Sequence, residues 1–170
     1  MSRELTDIFE EIAEYYQTPI RIGSACESNV FYRIEDLQHD DIKLICDYLS
    51  ERIYEVCQPE LPELIINLAS SVTHLPAQLS QRLGNIEIID ADRLHAGNGV
   101  GAAVKGSKVL LVNEVITTAR SCLEIHTKAT MMGATVVSWA SLIDRTFGPG
   151  PVPVIAAYTG EPVQLLEKLL

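Results

Sequence analysis

The sequence contains few cysteines, and their spacing argues against a common kind of metal site. Cys26, Cys46, Cys57 and Cys122 form no CxxC pair and do not cluster with histidine. Structural zinc sites need such clusters, so the sequence predicts no metal held by protein ligands alone. Thiols without a pairing pattern are typical of a reducing compartment, which predicts a cytoplasmic protein.

Basic residues and long apolar runs are also scarce. The chain has 13 lysines and arginines against 23 aspartates and glutamates, a net charge of −10 at pH 7. This surplus opposes general binding to nucleic acids. No stretch approaches the roughly 18 continuous apolar residues of a membrane span, and the polar N-terminus does not resemble a signal peptide. We therefore expect no nucleic-acid and no membrane partner, and any anionic ligand must be held by local donors.

The chain does have an alternation of helical and extended patterns, and 47% of its residues are hydrophobic. Strands alternating with helices predict an α/β fold, a mainly parallel twisted sheet flanked by helices. We expect one domain, 1–170, with a helix and short strands at 1–34, a core at 35–145, and a strand and helix at 146–170. Strands are predicted at 64–66, 86–89, 109–112, 134–143 and 154–158, and helices from residue 5, after residue 40, and at 75–83, 122–132 and 161–170.

Residues 108–121 are the most informative segment. Four apolar residues, 109–112, are typical of a strand buried on both faces, and the polar pair Asn113 and Glu114 follows them. Thr117, Thr118 and Ser121 then lead into a helical pattern. Backbone N–H groups and the positive end of a helix dipole favour an anion, and hydroxyl groups add donors. The segment therefore predicts a site for a phosphorylated sugar at the carboxyl end of a strand.

This segment resembles the phosphoribosyl pyrophosphate (PRPP) signature of the type I phosphoribosyltransferases. That signature is an apolar strand, two adjacent acids, two aliphatic residues and a turn rich in threonine, glycine and serine. Residues 115–118, Val-Ile-Thr-Thr, match its orotate phosphoribosyltransferase version. Ala119 and Arg120 stand where glycines are common, Asn113 where an acid is usual, and Glu114 where aspartate is nearly universal. The alternative is an ordinary strand–turn–helix with threonine and serine caps.

Other segments extend the resemblance. Residues 133–145 are similar to the following strand of the family, which often ends in an Asp-Arg pair, and Ser28–Arg33 are similar to an extended N-terminal segment. Residues 62–67 resemble the strand before the pyrophosphate loop. That loop is glycine-rich in the family, but residues 67–73 contain no glycine, which restricts the approach of the backbone to a ligand. The resemblance implies that the loop binds pyrophosphate through Asn67, Ser70, Ser71 and Thr73; the alternative is an ordinary turn.

Residues 90–106 hold four of the ten glycines and are predicted to form a mobile loop or open hairpin. The orotate enzymes close a flexible, lysine-bearing loop over PRPP at this place, often onto the partner subunit of a dimer. Here the segment offers Arg93, His95 and Lys105. The resemblance implies a catalytic role for Arg93; the alternatives are a solvated loop cation and an exposed histidine.

Three further side chains have open roles. His126 lies two helical turns beyond the predicted phosphate turn, so we expect it to be structural. Arg120 either reaches the phosphate as a charged donor or faces solvent at the helix N-terminus. Arg145 either contacts the base or phosphate or forms a surface ion pair.

The resemblance implies a PRPP-dependent enzyme most like orotate phosphoribosyltransferase. It would use Mg²⁺, release pyrophosphate and transfer phosphoribose to a nucleobase, as a homodimer. Glu114, with Asn113, would bind the ribose, and the 5-phosphate would lie on Thr117, Thr118, Ala119, Arg120 and Ser121. The alternative is a catalytically impaired module of the same fold that binds PRPP or a nucleotide monophosphate in a regulatory role.

Overall fold

A parallel sheet of five strands forms the centre of the computed structural model, which describes residues 3–23, 25–69, 72–95, 99–146 and 148–166. The described residues form eight strands, five in this sheet and three in a second one: β1 (Ala13–Ile22), β2 (Cys26–Tyr32), β3 (Leu64–Asn67), β4 (Glu87–Asp90), β5 (Lys108–Ile116), β6 (Thr135–Asp144), β7 (Val154–Thr159) and β8 (Gln164–Leu165). The helices are α1 (Leu5–Glu11), α2 (His39–Cys57), α3 (Leu75–Arg82), α4 (Ala91–His95), α5 (Gly101–Val104) and α6 (Arg120–Met131), with a 3-10 turn at Ile34–Asp36.

The central sheet has the strand order β4-β3-β5-β6-β7, and each neighbouring pair is parallel. Asn67 at the end of β3 lies beside Asp90 on one side and Val112 on the other. The carboxyl ends of β3, β4, β5 and β6 therefore meet at one edge of the sheet, where ligands bind in open α/β folds. The predicted α/β fold with a mainly parallel sheet is confirmed.

Both faces of this sheet are covered, which explains the apolar runs within β3, β5 and β6. One face packs against α1, α2 and α3 through residues such as Phe9, Ile45 and Leu79. The opposite face packs against α4 and α6, with Ile125 and Trp139 in its core.

The longest helix, α2, shows how the sequence pattern specifies one such layer. Its 19 residues bury Ile45, Leu49 and Ile53 on one side, while Lys43 and Glu51 on the other side are exposed. This spacing is the period of an amphipathic helix. Among the described residues, no helix is both long and apolar enough to cross a bilayer.

A second, antiparallel sheet of β1, β2 and β8, which we call the hood, lies beside the end of the central sheet. It is joined to the core by Arg145, which follows β6 and donates from Nη2 to Ser28 Oγ at 2.7 Å. The hood therefore adjoins the edge at which the ligand was predicted to bind.

Two secondary-structure predictions are wrong in the described residues. Within 90–106, expected to be a mobile loop or hairpin, the chain forms the short helices α4 and α5. Residues 161–166, expected to begin a helix, contain β8, which pairs with β2. In both places tertiary packing decides the conformation: Leu94 and Val104 are buried against the α6 face, and Val163 is fully buried.

Candidate functional site

The turn between β5 and α6 is the first component of the site. Ala119 has a left-handed backbone (φ 62°) and precedes the first residue of α6, where no side-chain cap bond is formed by the described residues. The N–H of Arg120 approaches Thr118 Oγ1 at 3.4 Å. An N-terminus capped by alanine leaves backbone donors of the first helical turn for another acceptor. The predicted phosphate-binding residues are thus brought together around one helix N-terminus.

The side chains of the turn differ in exposure. Thr117, Thr118 and Ala119 are half-buried, whereas Arg120 and Ser121 are exposed in the first turn of α6. Arg120 thus has the solvent-facing position that was one of its two predicted alternatives, and its contact with a phosphate stays a prediction.

Asn113 and Glu114 lie inside β5 rather than after it, because the strand continues to Ile116. Successive residues of a strand point to opposite faces. Asn113 Oδ1 accepts a hydrogen bond from the N–H of Glu114 at 2.9 Å. The sequence analysis placed Asn113 and Glu114 together at the ribose. In the structure their side chains are directed to opposite sides of the sheet.

Glu114 contacts the loop that follows β3. Its Oε1 accepts a hydrogen bond from Thr73 Oγ1 at 2.9 Å and from the N–H of Thr73 at 3.3 Å. Glu114 is 7% exposed and Thr73 is 2% exposed. The structure thus joins a residue of the predicted pyrophosphate loop to a residue of the predicted ribose site, across 41 positions of sequence.

Asn67 fixes the start of that loop. Its Oδ1 accepts from the N–H of Ala69 at 2.8 Å, and its Nδ2 donates to Asp90 Oδ1 at 3.0 Å. Asn67 therefore holds the ends of β3 and β4 together. Ser70 and Ser71, which were predicted to bind pyrophosphate, lie outside the described residues.

Three cavities surround the turn. The edge cavity, about 500 Å³, lies at the ends of β3, β4 and β5. The hood cavity, about 230 Å³, lies between the hood and the end of β5. A third, about 260 Å³, is lined by Thr117, Thr118 and Ala119 of the turn and by Trp139. The polar side chains of the edge cavity are Asn67, Asp90, Asp92, Asn113, Ser121 and Glu124. The hood cavity is lined chiefly by Phe31, Tyr32, Val72, Glu114, Thr117 and Arg145.

The edge cavity is acidic. Asp90, Asp92 and Glu124 line it, and none of the described residues that line it is lysine or arginine. Carboxylate and amide oxygens are donors that suit Mg²⁺. However, the described part of the chain contains no group of three or more His, Cys, Asp or Glu residues that could hold a metal ion. The residues present fit an ion that brings part of its coordination shell with a phosphorylated ligand.

Arg145 is buried, with 2% of its surface exposed, so the predicted alternative of a surface ion pair is wrong. Its Nε donates to the carbonyl oxygen of Glu161 at 2.7 Å, and its guanidinium lies 5.1 Å from the centre of the Tyr32 ring. Burial lowers the pKa of Arg145. Sequence reasoning missed its partners Ser28 and Glu161, because no local pattern indicates contacts across 117 and 16 positions of sequence.

The basic residues that the sequence offered within 90–106 lie on or beside different short helices. Arg93 is exposed on α4, and Lys105 is exposed after α5. The side chain of His95 lies outside the described residues. His126 has a packing role, as expected: its Nδ1 accepts a hydrogen bond from Trp139 Nε1 at 3.2 Å, and burial lowers its pKa.

No protein-family model and no curated protein sequence matches the chain. Solved structures do. Orotate phosphoribosyltransferase from Aeropyrum pernix has a TM-score of 0.65 at 20% identity, covering 91% of this chain and 93% of that one. Adenine phosphoribosyltransferase from Trypanosoma brucei, solved with AMP, pyrophosphate and ribose-5-phosphate, has a TM-score of 0.66 at 19% identity, covering 91% and 79%. A hypothetical protein from Neisseria gonorrhoeae with bound ppGpp has a TM-score of 0.55 at 18% identity, covering 72% and 80%.

These structures define the class of fold. A five-stranded parallel sheet flanked by helices, with matches to orotate and adenine phosphoribosyltransferases, is the type I phosphoribosyltransferase fold. At these identities the similarity establishes the fold, and the activity has to be argued from the site.

Proposed function

We propose that this chain binds PRPP and transfers its phosphoribosyl group to a nucleobase, releasing pyrophosphate. The observation that carries the proposal is the turn after β5. There the alanine-capped N-terminus of α6 stands between the edge cavity, through Ser121, and the hood cavity, through Thr117. A helix N-terminus with added hydroxyl donors suits a 5-phosphate, and cavities on either side leave room for the pyrophosphate and the base.

In this proposal the residues divide by ligand group. The backbone of Ala119 and the side chains of Thr117, Thr118, Arg120 and Ser121 bind the 5-phosphate. Glu114, which lines the hood cavity, accepts hydrogen bonds from the ribose hydroxyls, and Asn113, which lines the edge cavity, would reach the ribose from the opposite side. Asn67, Ser70 and Ser71, with the catalytic Arg93, would face the pyrophosphate, while Thr73 of the same loop donates to Glu114. A nitrogen of the base then bonds to C1 of the ribose as the bond from C1 to the pyrophosphate oxygen breaks.

Mg²⁺ belongs to this proposal as an ion delivered with the diphosphate. Asp90 and Asp92, which line the edge cavity at the end of β4, are the carboxylates that would hold it. Mg²⁺ is commonly held by one or two carboxylates together with substrate phosphates. When bound, the ion would neutralise charge on the departing pyrophosphate.

Orotate is the first base to test, and a homodimer is the first assembly to test. The turn Val-Ile-Thr-Thr and the similarity to the Aeropyrum pernix enzyme support orotate. The hood cavity adjoins Glu114 and has a largely apolar wall with Arg145, which suits a planar ring carrying an acceptor group. Size-exclusion chromatography with light scattering tests the homodimer.

A second candidate function is a module that binds PRPP or a nucleotide without turnover. Two observations favour it. Glu114 already accepts two hydrogen bonds from Thr73, and the edge cavity carries three carboxylates where an anionic leaving group would lie. Asn113 in place of an acid and the absence of glycine from residues 67–73 point the same way.

A pyrophosphate-release assay separates the two functions. The protein is incubated with PRPP and Mg²⁺ and with orotate, uracil, adenine, hypoxanthine or guanine in turn, and Glu114→Gln serves as the matched control. Turnover that is lost in the control supports the transferase. Calorimetric binding of PRPP without turnover supports the module. If PRPP, nucleoside monophosphates and inorganic phosphate all fail to bind, both functions are wrong.

The phosphate turn makes a specific prediction. Thr118→Val should weaken the binding of inorganic phosphate by about 1–3 kcal/mol, because a polar ligand loses a hydrogen-bond partner in a half-buried site. Thr127→Val is the matched control: Thr127 lies further along α6, away from its N-terminus, and donates to the carbonyl oxygen of Leu123. Calorimetry should show normal affinity for the control, and an unchanged affinity for Thr118→Val would place the phosphate elsewhere.

A further inference from the structure

The contact between Thr73 and Glu114 links two elements that are separate in sequence. Thr73 precedes α3, whereas Glu114 lies in the central strand β5. The hydroxyl and the N–H of Thr73 both donate to the same carboxylate oxygen, at 2.9 and 3.3 Å. Because both residues are buried, solvent screens this contact little.

Thr73 lies two residues before Leu75, which is packed into the core. The next residue, His74, has a left-handed backbone (φ 53°), and Leu75, the first residue of α3, is fully buried. A backbone fixed in this way keeps the two donors of Thr73 at a defined position. They can therefore act as an anchor for a longer, more flexible side chain.

Residue 114 is a glutamate, whose longer side chain gains more from such an anchor than an aspartate would. Glutamate has one methylene more than aspartate and one more rotatable bond, so an unanchored glutamate loses more freedom when a ligand binds. Both Thr73 bonds fall on Oε1. Glu114 also lines the hood cavity, next to Thr117. The anchor thus fixes the orientation of the carboxylate at the wall of a cavity.

We propose that Thr73 is a positioning residue that pre-orients the Glu114 carboxylate for the hydroxyls of a phosphorylated ribose. This inference rests on the proposed function, since it assumes that Glu114 meets a ribose. It assigns Thr73 a role through Glu114 rather than contact with pyrophosphate. Pre-orientation raises affinity because less conformational freedom is lost on binding.

The test compares two ligands, ribose 5-phosphate and inorganic phosphate, by calorimetry on the full chain. Thr73→Val removes the hydroxyl and keeps the shape, and Thr73→Ser keeps the hydroxyl. We expect Thr73→Val to lower the affinity for ribose 5-phosphate about tenfold, the scale of one lost hydrogen bond to a charged group. Its affinity for inorganic phosphate should stay unchanged, and Thr73→Ser should bind both ligands like the parent protein.

A second pair of variants tests the route through Glu114. In a Glu114→Met background, which has no oxygen to accept from Thr73, Thr73→Val should have no further effect on the affinity for ribose 5-phosphate, because residues that act as a unit are not additive. Glu114→Asp shortens the side chain away from Thr73 and should give the same selective loss as Thr73→Val. If Thr73→Val does not fold, the same comparison of ribose 5-phosphate and inorganic phosphate is made with Glu114→Asp.

The outcomes distinguish this inference from the proposed function. If the parent protein binds ribose 5-phosphate and Thr73→Val or Glu114→Asp binds it equally well or more tightly, Thr73 does not position Glu114, and the proposed function stands. An equal loss for both ligands, or a full loss in the Glu114→Met background, also overturns the positioning role. If the parent protein binds neither ligand, both proposals are wrong.

Discussion

Ala119 adopts a backbone conformation that normally belongs to glycine. Its φ of 62° lies in the left-handed region, which costs a residue with a Cβ roughly 1–2 kcal/mol. The type I phosphoribosyltransferase signature commonly has glycine at this position, so the turn keeps its shape although the residue has changed. We infer that this strain is tolerated because the flanking strand and helix fix the turn.

This strain gives a stability prediction. Ala119→Gly should raise the free energy of unfolding by up to about 1 kcal/mol, since relief of the left-handed strain exceeds the entropy that glycine adds to the unfolded chain. Ala103→Gly is the control. Ala103 is exposed in the short helix α5, where glycine should lower the free energy of unfolding. Urea unfolding measures both, and a destabilised Ala119→Gly would contradict the expected strain.

Sequence patterns revealed some site residues and could not reveal others. The hydroxyls of Thr117, Thr118 and Ser121 follow directly from a strand–turn–helix pattern that is local in sequence. The partner of Glu114 is 41 residues away. Such contacts depend on strand order and register, which no short segment encodes.

At the level of elements, a hydrogen bond between side chains joins α6 to β6 within the apolar core on that face of the sheet. Trp139 is the only tryptophan of the chain, and its Nε1–H donates to His126 Nδ1 at 3.2 Å. This bond requires a neutral imidazole with Nδ1 unprotonated. Burial lowers the pKa of His126, which keeps the ring neutral at physiological pH.

The contact predicts a fluorescence change with pH. The pKa of His126 in the folded state lies below the unfolded value of about 6.5. Neutral His126 therefore makes its full contribution to stability above about pH 6.5. That contribution is lost as the pH falls through the lower, folded-state pKa. Protonation removes the acceptor, so Trp139 emission should fall in that range. His126→Gln should abolish the step, whereas the exposed His39→Gln should retain it; a step that persists in His126→Gln would contradict the assignment.

Elements with strong periodicity were predicted well, and short elements were not. The spacing of Ile45, Leu49 and Ile53 predicted α2, and the apolar run 109–112 predicted the central part of β5. The helices α4 and α5 have five and four residues, too few to show a period, and β8 has two. Elements of this length are stabilised by the surfaces they contact, which the sequence does not display.

For the whole molecule, the proposed function requires a chain of net charge −10 to attract a phosphate. Its overall field repels anions, so attraction has to come from backbone N–H groups and hydroxyls at one helix end. The acidic edge cavity adds to this requirement, because Asp90, Asp92 and Glu124 lie next to Ser121 in its wall. We therefore expect PRPP to bind as its Mg²⁺ complex, whereas ribose 5-phosphate, which lacks the diphosphate, should bind without Mg²⁺ through the turn and Glu114.

The measurement that tests the phosphate turn most directly is a titration of the ¹⁵N-labelled protein with ribose 5-phosphate, followed by amide NMR. We predict that the largest shifts fall on the N–H groups of residues 118–121, with smaller ones at Thr73 and Glu114. Saturable shifts centred on another part of the chain, or none at millimolar ligand, would contradict a phosphate site at the N-terminus of α6.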